Sequence, residues 1–523
     1  MTGKEQINDN VFGKMDRRKF LKGAGMVGMA AAMGVAGGGL MRKAHASQPR
    51  RGGRLVWDIR GSATIFDPAY WENNEEYCIG ELCYNRVVSL NTNMEVIPEL
   101  AVKWVPAKKG KEWTFHLRKG VRFHHGRELE AKDVVRTLNH CLETKGPAYT
   151  QIQPAERFEE IDRYTVKAYL SAAFGEFPQT LTNPTTFILP HDISYEKLKT
   201  TVVGTGPFKF KQFVPGEFFL AERFADHWNA ENVFLDEVKV VVIPDFATSM
   251  NALLSGEIDL MHECEAQQFF ALKKRDGIVA HRVASMSFQP LVMDTTMKPF
   301  NDVRIRQAVK ACLDREKFVE AVLQNLGVPA NDHQVPSFHT NYADFPIKQQ
   351  DYDFAKKLLS DAGYPNGIDL TVHTSEVRAG MVPSAITLKD QCAPAGINIT
   401  IKMHPADGYW KQVWRKHSLF YSNWFGRTTL FSATNPYWHS KGKWNTSKVH
   451  VPSLDNCLDE AVSETDPKRA MKLYVSAQAM FSELGGWVIP YLRDYTMAHS
   501  DKVHGYKVHP TRWRYFVGVW KEA

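Results

Sequence analysis

The chain has 523 residues, 44% hydrophobic and 24% charged, the balance of a globular protein with enough core for two to four domains. Its formal charge of +7 is concentrated at one end: residues 1–46 hold eight basic and three acidic side chains, so the remainder carries only +2. A balance that small excludes nucleic-acid or membrane-surface binding driven by bulk charge, and no later apolar run reaches the 18 residues of a membrane span.

Arg17-Arg18-Lys19-Phe20-Leu21-Lys22 places a twin arginine ahead of an uncharged, Gly- and Ala-rich run over residues 23–41. Arg42 and Lys43 follow, then Ala44-His45-Ala46, an A-x-A cleavage site. The order reads as a signal for export of folded proteins to the periplasm, with the mature chain starting near Ser47. Met15, just ahead of the signal, is an alternative start, and no Cys at the cleavage site offers a lipid anchor.

Leu55-Val56-Trp57 predicts a first strand, and Ser62, Thr64 and Phe66 follow it. Trp113, Phe115 and Leu117 alternate on a second strand, and Val134, Val135 and Leu138 mark a helical face. Val238 to Pro244 reads as a continuous buried strand, and the helix over 249–254 ends at Gly256. Asn301 or Asp302 caps a further helix, and the next, with Phe318, Val319, Val322 and Leu323, is expected to stop at Gly327. Ile368, Leu370 and Val372 predict a strand, residues 384–395 a helix, and Ile397, Ile399, Ile401 and Met403 a second strand. Such a βαβ unit implies a parallel pair with ligand-facing loops at its carboxyl ends, after His373 and Met403.

Seven Cys are present, an odd number, without a C-x-x-C. Cys78 and Cys83 point to different faces of one helix, so no bridge is expected there. No G-x-S-x-G, H-E-x-x-H or P-loop occurs. His124-His125 is a poor chelate, since adjacent strand residues face opposite ways. No catalytic residue, metal ligand or cofactor is expected.

Five blocks in order carry a resemblance. They are Leu100 to Trp104 with Trp113 to Gly126; Gly204-Thr205-Gly206-Pro207-Phe208; Leu254 to Asp259; Pro299 to Ala308; and Ala355 to Leu359 with Gly363-Tyr364. Together they resemble the family 5 bacterial extracellular solute-binding proteins, the dipeptide, oligopeptide and nickel receptors. His125 departs from that pattern, which usually has an acidic residue there. The resemblance implies an α/β fold of the type II periplasmic-binding-protein kind: two α/β lobes with a hinge, plus an inserted third domain. By analogy the first lobe takes 51–89, 200–290 and 492–523, the insert 90–199, and the second lobe 291–491. Residues 286–289 are expected to form one crossing segment. The implied partners are a small solute and the permease subunits of an ABC importer in the inner membrane, with no nucleic acid and no second copy of the chain.

Residues 409–444 contain 11 aromatics in 36 positions. Following the βαβ unit and interrupted by Gly426 and Asn435-Pro436, they are candidates for a pocket wall. Tyr409, Trp424, Phe425 and Trp438 are the expected contacts. Trp424-Phe425-Gly426-Arg427 resembles the place where peptide receptors of the family read Trp-x-Gly-Asp, with the carboxylate on the ligand's ammonium group. Arg427, backed by Thr428, reverses that charge, so a carboxylate-bearing or peptide-like solute is expected and a free dipeptide disfavoured. Arg378 and Thr64 are further candidates from the loops on either side of the cleft. The alternative is a metal-chelate receptor of the same fold, for which His417 and His439 are the histidines nearest the aromatic segment.

Overall fold

The computed structural model describes residues 48–522 apart from Met286, Phe338, Thr340, Asn341, Ala379, Phe425 and Thr428. The export signal read at residues 1–46 lies outside the described residues.

Three sheets organise the chain. In the first, Arg54–Ile59 pairs in parallel with Glu237–Val242, Leu55 opposite Val238 and Trp57 opposite Val240. Phe218–Arg223 and Phe208–Val214 extend it antiparallel on one side; Leu260–Met261, Tyr491–Ser500 and Ile278–Ala284 extend it on the other. Val238 and Val240 are fully buried, but Val241 and Val242 are only half-buried, so the expected continuous run alternates.

The second sheet is ordered Ile397–Met403, Ile368–Thr374, Leu419–Tyr421, Leu291–Met293, Trp487–Val488. Its first two strands form the predicted parallel pair, Ile368 opposite Ile397. The helix between them spans Met381–Cys392 and ends through a short 3-10 turn at Gly396, whose φ of 84° is left-handed. Ile368, Leu370, Val372, Ile397 and Ile399 face the core, while Met403 is exposed. Asp302 caps the helix Val303–Ala311 by accepting from Arg304 N. The helix Arg315–Leu323 stops earlier than expected. Gln324 and Asn325 take the left-handed turn at φ 51° and 64°, and Gly327 instead opens a short strand on Arg493.

The third sheet is antiparallel, Ala101–Ala107, Glu112–Leu117, Thr165–Leu170, Ala155–Asp162. Trp113, Phe115 and Leu117 bury against Val134 and Leu138 of the helix Ala131–Glu143. It is inserted in sequence between strands of the first sheet.

Two local devices tie the inserted sheet to the first. A Cβ on Gly204 or Gly206 would stand 2.1 Å from the Cys83 carbonyl oxygen or 2.4 Å from its carbon, so the Gly204-Thr205-Gly206 block lets two backbones touch. His124 bridges it, accepting from Gly204 N at 3.3 Å on Nδ1 with Nε2 3.1 Å from Gly206 O. His125 instead meets Asp192; the two histidines lie in a turn rather than on the expected strand, and have separate partners. The second device is Arg86, fully buried. Its guanidinium donates to Glu81 at 2.8 and 3.0 Å, to Thr182 O at 3.1 Å and to the Tyr515 hydroxyl at 3.2 Å, with Glu99 at 3.5 Å.

All seven cysteines are unbridged, six buried and Cys457 half-buried. In native protein Cys457 should react fast with a thiol reagent and the other six slowly, whereas denatured protein should titrate seven thiols. Arg86→Met strands two buried carboxylates, Glu81 and Glu99. The expected loss is about 3–5 kcal/mol, read as a lower urea midpoint.

Candidate ligand-binding site

Residues 285–290 and 489–490 carry the chain between the first and second sheets. The first passage is hydrogen-bonded to the strand Tyr491–Ser500, which the second one enters. Ser285 N donates to Arg493 O at 3.1 Å, and Arg493 N to Ser287 O at 3.2 Å. Beyond them Phe288 N donates to Trp424 O at 3.1 Å and Trp424 N to Phe288 O at 3.0 Å. The loop after the strand Leu419–Tyr421 is therefore fastened to a crossing segment just before it reaches Arg427. Thr429 then caps the helix Leu430–Trp438, accepting from Ser432 N at 2.9 Å.

Arg427 lines a cavity of about 440 Å3 whose walls come from both sides of the crossing. Ser285, Ser287 and Gly426 stand with it; Glu72, Tyr77, Asn183, Thr511, Arg512 and Trp513 form the opposite wall. Gly426 and Arg427 also border a narrow recess lined by Phe288, Val335, Pro336, Leu430, Ala433 and Tyr437. The site thus combines a polar chamber with an apolar slot, and Arg427 stands where they meet.

The Arg427 guanidinium lies 5.4 Å over the Trp444 ring, and among the described residues no carboxylate pairs with it. Burial pushes the neighbouring Tyr437 hydroxyl up, an effect Arg427 opposes. Across the chamber, burial and then Glu76 and Glu72 push the Tyr77 hydroxyl up to about 12, again against Arg427. Tyr77 therefore stands within the fields of two acidic groups on one wall and a cation on the other, and stays a neutral donor at ordinary pH. Arg512 holds a left-handed φ of 67° and pairs with Glu263 at 3.3 Å. A non-glycine residue held there signals a loop fixed by its surroundings.

The other expected contacts divide. Trp424 is half-buried, with Tyr437, Trp444 and Trp414 at 4.9, 5.7 and 6.2 Å between ring centroids, and its buried Nε1 has no acceptor among the described residues. Phe425 and Thr428 lie outside the described residues. Tyr409 is fully buried in the second lobe's core, its hydroxyl 2.8 Å from Tyr421 O and 3.2 Å from His373 O. Trp438 is equally buried, stacked on Phe481 at 4.6 Å and donating to Gln334 at 3.1 Å. Both are packing residues in this arrangement, because their polar atoms are already satisfied inside the fold. Arg378 is exposed and lines a second cavity of about 590 Å3 nearer the hinge, with Asn423, Arg493 and Asp494. Thr64 donates to Glu76 at 3.1 Å, supporting the start of the helix Asn74–Cys83, and does not line the chamber. His417 stacks on His373 at 3.7 Å, and His439 stands 3.3 Å from Asp459; neither lines the cavities described.

Sequence reasoning missed the opposite wall. Glu72 just precedes the N-cap Asn73 and Tyr77 lies in the helix Asn74–Cys83, with no local pattern to set either apart. Thr511-Arg512-Trp513 belongs to a stretch with no periodicity, so only its cluster of basic and aromatic residues could have marked it.

Comparison with known proteins matches residues 95–446 to the model of bacterial extracellular solute-binding proteins, family 5 (middle), and residues 14–34 to the twin-arginine translocation pathway signal. The di/tripeptide-binding protein 1 of Pseudomonas aeruginosa is 26% identical over 476 residues, covering 82% of this chain and 87% of that protein. The glutathione-binding protein GsiB of Pectobacterium atrosepticum is 24% identical over 86% of this chain and 91% of its own length. The structure of HbpA2 from Haemophilus parasuis superposes with a TM-score of 0.82 at 22% identity, covering 90% of this chain and all of that one. The family pattern spans more than half the chain, on a matching two-lobed fold with an insert and behind a twin-arginine signal. This chain is a member of family 5 of the bacterial extracellular solute-binding proteins, exported to the periplasm as the binding component of an ABC importer.

Proposed function

We propose that the protein captures a small carboxylate-bearing solute with its anionic end on Arg427, and presents it to an inner-membrane permease after the lobes close. The observation that carries this reading is an arginine lining the chamber with no counter-ion among the described residues. A partly desolvated guanidinium with no carboxylate partner among the described residues is a standing demand for an anion. A carboxylate there contributes roughly 1.5–3 kcal/mol, part of the ~8 kcal/mol behind a micromolar Kd. The Trp424 indole adds an unused donor on the same loop.

The facing wall narrows the solute class. Glu72 also lines the chamber, which favours a dipolar molecule over a simple anion. Its cationic end would face the first lobe and its apolar part the recess at Val335 and Leu430. Di- and tripeptides and glutathione, the ligands in the names of the two relatives above, are dipolar carboxylates too. The Trp-x-Gly-Asp position that would hold a peptide's ammonium group is reversed in charge here, so the polarity of binding is reversed as well. Family members are binding proteins rather than enzymes, and this site is read as a receptor with no reaction step.

The test is a thermal-shift screen of organic acids, peptides and their carboxamides, followed by calorimetry on the hits. Acids should bind and the matching amides bind about 10- to 100-fold more weakly, the ratio set by 1.5–3 kcal/mol. Arg427→Ala should remove that discrimination without lowering the melting temperature. Equal binding of acid and amide to the unsubstituted protein would overturn the assignment.

A second expected outcome is optical. Trp424 and Trp444 lie next to the ligand position, so a binding acid should change tryptophan emission. Trp444→Phe should reduce that change while leaving the helix content intact.

A further inference from the structure

Glu176 follows the inserted sheet and begins the short helix Phe177–Thr180. Its carboxylate reaches the second lobe. Leu430 N donates to Oε1 at 3.3 Å and Phe431 N to Oε2 at 2.8 Å, across more than 250 residues of chain, and the Tyr474 hydroxyl donates to Oε2 at 3.2 Å. Leu430 and Phe431 supply the first two amides of the helix Leu430–Trp438, the groups a helix cannot satisfy by itself. Ser432 N, the third, is taken by Thr429. The helix start is thus capped jointly from its own loop and from another part of the molecule. The Thr429 end of that cap stands two residues from Arg427.

The surrounding contact is close. Gly175 N donates to Val462 O at 2.8 Å, and a Cβ on Gly175 would fall 1.8 Å from Glu464 O. Phe174 meets Phe431 edge-on at 5.0 Å. We infer that the Glu176 carboxylate is an interdomain clasp: it fastens the inserted sheet to the helix behind the ligand loop, and through that helix it positions Arg427. The significance of Arg427 rests on the function proposed above; the clasp itself does not.

A clasp made by an acid without a cation responds to pH. Among the described residues no cation pairs with Glu176, and burial raises its carboxyl to about 7. The titratable groups around it are few. Tyr474 is held neutral by burial, and His339, in the adjoining cavity, is pushed down to about 4 by burial and is neutral too. Glu95, Glu464 and Lys468 line the same cavity, and Glu464 is paired with Arg469 at 3.0 Å. A carboxyl raised in the clasped state stabilises that state fully below its ordinary value near 4.5, and loses the contribution as pH rises through about 7.

Hydrogen exchange on the ligand-free mature protein reads this directly, at pH 5.5 and 8.5, with rates corrected for intrinsic pH dependence. In peptides covering residues 429–434, the unsubstituted protein should exchange at least tenfold faster at the higher pH. Glu176→Ala should be fast at both, and Glu176→Gln, which cannot ionise and keeps only one of the two acceptor oxygens, should fall between these limits and show no change with pH. Peptides from the strand Ile397–Met403 serve as the control and should not change. A pH-independent rate in the unsubstituted protein, or Glu176→Ala matching it at pH 5.5, overturns the clasp. Should the alanine variant fold poorly by circular dichroism, the glutamine variant and the unsubstituted pH profile still decide. No ligand enters the measurement, so the clasp can fail while the Arg427 assignment stands, and the reverse.

Discussion

The hydrogen bonds made by the first crossing segment determine where the loop carrying Arg427 stands. Ser285 and Ser287 exchange bonds with Arg493, and Phe288 exchanges a pair with Trp424. The backbone that joins the lobes is also the backbone from which the ligand loop hangs. A rotation about the crossing therefore carries Arg427 relative to Glu72 and Arg512, as hinged closure requires. The side chains beside the crossing reinforce it. The Tyr491 hydroxyl lies 3.1 Å from Gln289 Oε1 and 2.8 Å from the Ser384 hydroxyl, linking the first passage and the strand Tyr491–Ser500 to the βαβ helix.

Some of the buried charge in this molecule is held in direct ion pairs. Arg315 and Asp332 are both fully buried and share bonds at 2.8 and 3.1 Å, and Arg86 has two carboxylates. Such pairs are costly to break and structural in purpose. Arg427 differs because it is only half-buried, lines a chamber and has an aromatic ring beneath it in place of an acid. Glu176 differs in the opposite sense: a carboxylate supplied with amide and hydroxyl donors but no cation. Arg427 lines the chamber, and Glu176 caps the helix beside it.

Local pattern made the βαβ unit, the helix cap at Asn301 or Asp302 and the strand carrying Trp113, Phe115 and Leu117 legible, since each depends on residues close in sequence. Arg427 could be singled out as a candidate because its neighbours form a recognisable string. Tyr409 and Trp438 were misplaced because an aromatic on a strand-following segment looks the same from sequence whether it faces a cavity or a core. The decisive bonds, to Tyr421 O and Gln334, come from elsewhere in the chain. Glu176 was invisible for the same reason at greater range. Nothing near it in sequence shows that its carboxylate will meet Leu430 and Phe431. The end of the helix at Leu323 was missed because Gln324 and Asn325 adopt a backbone conformation more often given to glycine.

The seven unbridged thiols have a consequence for biogenesis. No covalent crosslink is needed to reach or hold this fold. The polypeptide can acquire its final form in a reducing compartment, with no oxidase or disulfide isomerase, and cross the membrane already assembled. That is the condition a twin-arginine passenger has to meet. The burial of six of those sulfurs then keeps them out of the oxidising chemistry on the far side.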